Sequence, residues 1–216
     1  MSRKILLIIT GCLAISMALG TAAYALAPIR AVVLEVFGAP TAPTMTGSAG
    51  SISVVVAGTP TVTCSGASFT GTVNPGSYTA YATITTLSSG SCGSWIVSMP
   101  CSMTIDADTG QNVGTGPPDT NVTGTAHVTY GSGGCLRFQS TANGCTFDVG
   151  GNVATSFDET PDGNGDQGLS FSGSGLVVKN PYGCLGTPSN GSAVTLTATF
   201  RVHITATADE HVDFIP

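Results

Sequence analysis

The most regular stretch of the chain lies near its C-terminus. In "AVTLTATFRVHITATA", Val194, Leu196, Ala198, Phe200, Val202 and Ile204 share one parity. Thr195, Thr197, Thr199, Arg201, His203 and Thr205 share the other. A period of two with one apolar and one hydroxyl-rich face predicts a strand packed on one side and wet on the other, as in antiparallel sheets. The same period recurs upstream. "YTAYATITTL" places Tyr78, Ala80, Ala82 and Ile84 on one parity, and "NVTGTAHVTY" does so for Val122, Gly124, Ala126, Val128 and Tyr130. "SISVVVAG" and "TPTVTCSG" are β-branched runs that stop at Gly, Pro and Ser. "SWIVSMPCSMTI" is a longer β-prone run in which Pro100 marks an edge or a bulge. "CTFDVGGNVATSF" and "GLSFSGSGLVVKN" read as strands interrupted by glycines, which suits bulges or hairpin turns.

No segment after the leader carries a helical stripe with caps. Short strands with turn signals about every ten residues predict an all-β fold, an antiparallel β-sandwich or a sandwich-like barrel. The division expected is a signal peptide at 1–25, a flexible lead-in at 26–50 and a single domain at 51–216. Within the lead-in, "IRAVVLEVF" has the makings of a first strand or a short helix, and the Pro/Ala/Thr/Gly-rich text after it reads as exposed.

The N-terminus changes the setting. Arg3 and Lys4 precede an apolar stretch and then "AAYALA", the layout of a secretory signal peptide with cleavage after Ala25. The competing readings are a retained anchor, since the apolar run is about as long as a bilayer needs, and lipidation at Cys12. A membrane partner follows only if the leader is retained. Removal of the leader leaves four basic residues (Arg30, Arg137, Lys179, Arg201) against twelve acids, a net charge of −8. There is no basic patch with interleaved aromatics, so nucleic acid is excluded as a partner. Only 8% of residues are charged, well under the usual ~25%, and Gly, Ser and Thr fill the polar positions instead.

Six cysteines follow the leader: Cys64, Cys92, Cys101, Cys135, Cys145 and Cys184. An even number in an exported chain reads as a disulfide framework. No CxxC spacing occurs and the histidines are scattered, which argues against zinc. Six cysteines allow about 15 pairings, and spacing does not choose among them.

The candidate chemistry concentrates in "FDETPDGNGDQGLSF". Asp162, Asn164 and Asp166 alternate there, with Asp158 just upstream. Calcium loops use such spacing, because glycines let the backbone curl and present oxygens to one centre. An EF-hand is excluded, because its sixth and twelfth positions hold Gln167 and Gly173 here. The residues named for calcium are thus Asp158, Asp162, Asn164 and Asp166. The competing reading is a solvated turn, for which Asp, Asn and Gly are the expected formers. "DADTGQN", Asp106 to Asn112, has similar chemistry with a less regular pattern.

Catalysis is not expected. No G-x-S-x-G elbow appears. His127 and His203 sit on strands, where the simplest reading is a surface histidine. His211 and Asp213 lie almost at the C-terminus. Asp148, alone among the acids, sits inside strand text, where alternation points it outward. Trp95 beside Cys92 reads as a core residue packed on a disulfide, and Tyr182 in "NPYGCLG" as a turn residue and a binding candidate.

"TPTVTCSGASFTGTV", "ATITTLSSGSCG", "VTGTAHVTY" leading to "CTFDVGGNV", and "LVVKNPYGCLGTPSNGSAVTLTATFRV" together carry a resemblance. In this order of segments the chain resembles a group of small secreted actinobacterial proteins, over most of Ser51 to about Thr207. The resemblance implies an exported β-rich domain of the envelope or medium, with no catalytic residues. Cys64, Cys92, Cys145 and Cys184 match its recurrent positions, and Cys101 and Cys135 are an extra pair. It thereby suggests Cys64–Cys92, Cys101–Cys135 and Cys145–Cys184. The function expected is a structural or binding protein, secreted or at the cell surface. Its partner would be an envelope protein, a glycan or a second copy, and calcium is the one cofactor the pattern admits. The alternatives are a calcium-dependent adhesin or carbohydrate-binding module, and a small secreted hydrolase.

Overall fold

The structure, a computed structural model, describes residues 27–28, 31–35, 43–74, 76, 78–108, 112–113, 121–130, 133–160, 162–204 and 211–215. The leader lies outside them. The described residues contain strands and no helix.

Ten strands make one sheet: β1 (Thr44–Val56), β2 (Val62–Val73), β3 (Ala82–Ser88), β4 (Trp95–Ser98), β5 (Met103–Ala107), β6 (Asn121–His127), β7 (Leu136–Ser140), β8 (Thr146–Asp158), β9 (Gln167–Tyr182) and β10 (Ala193–Ile204). Eight of them, in the order β1-β2-β3-β5-β6-β8-β9-β10, run as an antiparallel meander. β10 returns to pair with β1, from Val194↔Val56 to Ile204↔Met45. The sheet therefore closes into a barrel and leaves no free edge in the ring. β7 pairs with the first half of β8, and β4 with β7, so these two strands form a flap on the wall.

The all-β, antiparallel expectation holds, and the barrel replaces the two-layer sandwich. The reason is curvature. In β2, Cys64 and then Ala67 are buried, so the inward parity changes at Gly66, which has φ +67°. Opposite it in β1, the parity changes between Ala49 and Ile52. In β9 the register shifts between Gly173 and Leu176. Each such bulge bends the sheet and strengthens its twist. The glycines expected to interrupt β8 and β9 thus bend these strands without breaking them.

Two boundaries differ from expectation. β1 begins at Thr44, so residues 44–50 of the expected lead-in belong to the barrel wall; their Thr/Gly/Ser text conceals buried Met45 and Ala49. β3 begins at Ala82, and Tyr78–Ala80 form a turn in which Ala80 has φ 51°. The Pro100 run splits into β4 and β5, and β4 is the outer edge of the sheet, where a nearby proline is tolerated.

The core fills the barrel. β10 buries Val194, Leu196, Ala198, Phe200, Val202 and Ile204, the parity read from the sequence. Phe200 meets Phe69 and Phe171 edge-on, with ring centroids 5.0 and 5.8 Å apart. Gly47 leaves the space that the Phe69 ring occupies; a Cβ there would overlap the ring. What remains is an apolar cavity of about 40 Å³.

The two ends of the barrel are closed differently. The connections 57–61, 89–102, 128–145 and 183–192 gather at one end, and all three disulfides staple it: Cys64–Cys92, Cys101–Cys135 and Cys145–Cys184. This is the pairing that the resemblance suggests. At the other end, residues 31–35 pair with 211–215 as a two-stranded ribbon. Of the two readings of "IRAVVLEVF", the strand is the one found. Val212 and Phe214 of the ribbon are buried. Phe214 sits edge-on to Tyr81, with centroids 5.0 Å apart, and Phe157 completes the cluster.

Candidate functional sites

The acidic turn between β8 and β9 lies at the ribbon end. Asp162 Oδ1 accepts hydrogen bonds from the backbone N–H of Asn164 (2.7 Å) and of Asp166 (3.2 Å). Its Oδ2 pairs with Arg201 Nη2 at 2.5 Å. The Asn164 amide, joined by the Asp166 amide and the Arg201 charge, holds this carboxyl below the usual carboxylate range against a smaller opposing effect of burial. Asp166 Oδ1 lies 3.1 Å from His203 Nδ1. Asp158 accepts from Thr160 N–H at 3.0 Å. The turn thus brings Asp162, Asn164 and Asp166 together, while Asp158 serves a neighbouring turn. A calcium ion here competes with Arg201 and His203 for the two carboxylates. Among the described residues, no three His, Cys, Asp or Glu side chains are grouped to hold a metal.

His203 and Arg201 project outward from β10 into a groove of about 350 Å³. Its walls carry the hydroxyls of Thr46, Ser48, Ser68 and Thr70. The second histidine is placed in a similar way. His127 Nε2 lies 3.1 Å from Asp106 Oδ2, and its Nδ1 lies 3.0 Å from Asn152 Oδ1. Asp106 also accepts the Ala80 N–H at 2.6 Å, so this carboxylate fixes the β2–β3 turn to the wall. Asp108 accepts from Thr123 at 3.1 Å. The rest of "DADTGQN" up to Gln111 lies outside the described residues. Both strand histidines are therefore surface residues, as read, but each has a carboxylate partner that the sequence does not reveal. His211 and Asp213 fall on the ribbon.

A third cluster sits on the outer face of the flap. Register places Arg137 opposite Asp148 and Asp148 opposite Lys179, on β7, β8 and β9. The next row holds Gln139, Thr146 and Tyr182. Residues directly opposite in antiparallel strands share a face, so six side chains form two rows. Asp148 points outward as alternation predicts, but it is covered. Its side chain is 10% exposed, and Arg137 lies over it at 53%. Arg137 Nε donates to Asp148 Oδ1 at 2.8 Å and Nη2 to Oδ2 at 3.4 Å. Asn180 Nδ2 adds a 3.4 Å contact. The hydrogen bond and then the charge of Asp148 raise the guanidinium pKa further. A cleft of about 300 Å³ opens beside this pair, edged by Gln139, Thr146 and Asn180.

Sequence reasoning reached Asp148 and Tyr182 one at a time and missed the assembly. Arg137 and Lys179 are far apart in the chain, and only the strand register makes them neighbours. Trp95 is half-buried as part of the core margin. Its ring packs edge-on to Phe147 at 5.5 Å.

No protein-family profile matches this chain, and no curated protein or solved structure is significantly similar to it.

Proposed function

We propose that this chain is an exported structural or binding barrel that acts outside the cytoplasmic membrane and holds its ligand on the outside of the wall. The observation that carries this reading is the filled interior. An eight-stranded barrel is just wide enough for its side chains to fill, and the remaining cavity of about 40 Å³ has an entirely apolar lining. The two polar grooves, with the ion pairs that edge them, open on the outside of the wall. Three intramolecular disulfides fit an oxidising compartment. The outer face of β10 carries Thr, Arg and His while its inner face is apolar, the reverse of a barrel that faces lipid. A glycan is the partner this hydroxyl- and amide-rich surface favours, ahead of an envelope protein or a second copy.

The test is cell fractionation with a thiol count. Expression of the full chain should deliver it to the envelope or medium, with Cys64, Cys92, Cys101, Cys135, Cys145 and Cys184 all unreactive until reduced. Retention in the cytoplasm with free thiols would sink the reading.

One observation favours a second reading, a small secreted hydrolase. His203 is oriented by Asp166 inside a groove lined with hydroxyls. A general base needs a nucleophile within hydrogen-bond reach. Among the described residues, no hydroxyl hydrogen-bonds the His203 ring. Turnover of ester or glycoside substrates that disappears in His203→Ala would bring this reading forward.

A further inference from the structure

We infer that the outer face of the flap is a binding site for an acidic glycan, with Arg137 and Lys179 taking the uronate carboxylate and Tyr182 stacking on the sugar ring. The inference rests on the binding-protein reading and names the ligand class.

The charge argument comes first. The chain is strongly acidic, and only three of its basic residues, Arg137, Lys179 and Arg201, have described side chains. Arg201 is committed to Asp162. The other two flank one carboxylate, Asp148, which is buried and engaged by Arg137 and Asn180. The face that solvent meets is therefore cationic on an otherwise acidic protein. Asp148 holds Arg137 through Nε and one edge of Nη2. The remaining N–H groups of the guanidinium stay available, in an orientation already fixed. A pre-oriented guanidinium fork is well suited to a carboxylate.

The second argument is the neighbouring row. Gln139 and Thr146, with Asn180 beside them, supply both donors and acceptors at the edge of the cleft. This is the complement a polyhydroxylated ring requires. Tyr182 closes the row, and it is 77% exposed. A ring left that open has its face free to stack, and holding it costs little side-chain entropy. The cleft of about 300 Å³ is at the small end of the range for small-molecule sites.

The third argument separates a sugar from an acidic peptide. β7 is hydrogen-bonded to β4 and β8, and β8 to β7 and β9. The strands at the centre of the face thus offer side chains only and have no free backbone edge for an added peptide strand. The Cys145–Cys184 bridge lies at one side and ties the start of β8 to the turn after Tyr182. Strand pairing and this bridge tie the elements of the site together before any ligand arrives.

The test is calorimetric titration of the full, oxidised chain with a galacturonate tetramer, its methyl ester and a tetraglutamate peptide. The acid should bind, and the ester should bind about tenfold more weakly or not at all, because esterification removes the charge-assisted hydrogen bonds. Tyr182→Ala removes an exposed ring and Lys179→Gln replaces the ammonium of a half-buried residue on the outer face with an amide, so both should fold normally. Each should weaken the acid by about tenfold, the loss of one good contact. Arg137→Lys keeps the charge and loses the fork, and should also weaken it. Equal affinity for acid and ester would overturn the carboxylate contact. Tetraglutamate binding with the same sensitivity to the variants would overturn the sugar. No binding of the galacturonate tetramer would overturn the site. An exported, fully oxidised protein that binds no uronate sinks this inference alone, whereas a cytoplasmic, reduced protein sinks the reading beneath it.

Discussion

The two ends of this barrel are held in different ways. At the stapled end, the long excursions that include β4 and β7 are tied by three disulfides whose cysteines lie 28, 34 and 39 residues apart. At the ribbon end, one amide side chain does the corresponding job. Gln167 is fully buried; its Nε2 donates to the carbonyls of Glu159 (2.8 Å) and Val212 (2.9 Å), and its Oε1 accepts the Val212 N–H at 2.8 Å. Around it, Tyr81, Phe157 and Phe214 bury apolar area, and Glu159 is buried at 4% exposure. Burial and then the Glu159 carboxylate push the Tyr81 phenol above its ordinary pKa, so it stays neutral. The difference teaches where covalent help is required. The stapled end must restrain long excursions whose closure is costly in chain entropy even though they bury Val128, Leu136 and Phe138. The ribbon end restrains two chain segments that bring Val212 and Phe214 into the core.

The largest expected effect breaks the stapled end. In the chain-entropy picture each bridge contributes about 3–4 kcal/mol, and a domain of this kind is stable by only about 5–15 kcal/mol in total. Full reduction with blocked thiols should therefore unfold the protein at room temperature, seen as loss of near-ultraviolet dichroism. A reduced protein that keeps its near-ultraviolet spectrum would show that the flap is held by packing, for example by the stacked Phe138 and Phe147, and the contrast between the ends would collapse.

The ribbon end gives a smaller effect with a local signature. Gln167→Ala leaves the Val212 N–H and two buried carbonyls without their partner. Leaving buried donors and acceptors unmade costs about 1–3 kcal/mol per group, so a loss of about 3 kcal/mol is expected on denaturant unfolding. Amide exchange should accelerate first in 211–215 and 31–35, while β2, β8 and β10 stay protected. Uniform acceleration through the whole barrel would mean that the ribbon is part of the global folding unit and not a separately held closure.

These two ends were unequally legible. The stapled end announced itself through an even set of cysteines, and the strand walls through alternation, most plainly in β10. Neither feature depends on which strand pairs with which. Gln167 was invisible for the opposite reason. In the sequence it reads only as the wrong residue at the sixth position of a calcium loop, and its role exists only because residues 211–215 lie against it. Closure into a barrel was likewise hidden. It depends on β10 finding β1 across most of the chain and on parity changes at 49–52 and at Gly66, where a local pattern simply looks broken. The flap site failed for the same cause. Arg137, Asp148 and Lys179 each read as isolated charges, and only register turns them into a row.

The acidic turn offers the smallest effect and the finest test of how the ribbon end is built. Asp162 has its carboxyl pKa lowered in the folded state, so its contribution to stability is present above the ordinary carboxylate range, about pH 4, and is lost as pH falls through the folded value. Asp162→Asn should therefore narrow the gap from the parent protein as the medium is acidified, with the two unfolding midpoints converging at low pH. The pair is open to solvent and screened, so salt should shrink the same gap at neutral pH. Calcium addresses the same atoms. Binding confined to the folded state would raise stability by about 2.7 kcal/mol at a hundredfold excess over Kd. With Arg201 on Asp162 and His203 on Asp166, millimolar calcium should leave the melting temperature where excess chelator puts it. A clear rise with calcium that Asp162→Asn and Asp166→Asn both remove would mean that the ion displaces the two cations. The turn would then be a calcium site, and the ribbon end would gain a metal closure to set against the disulfides of the other.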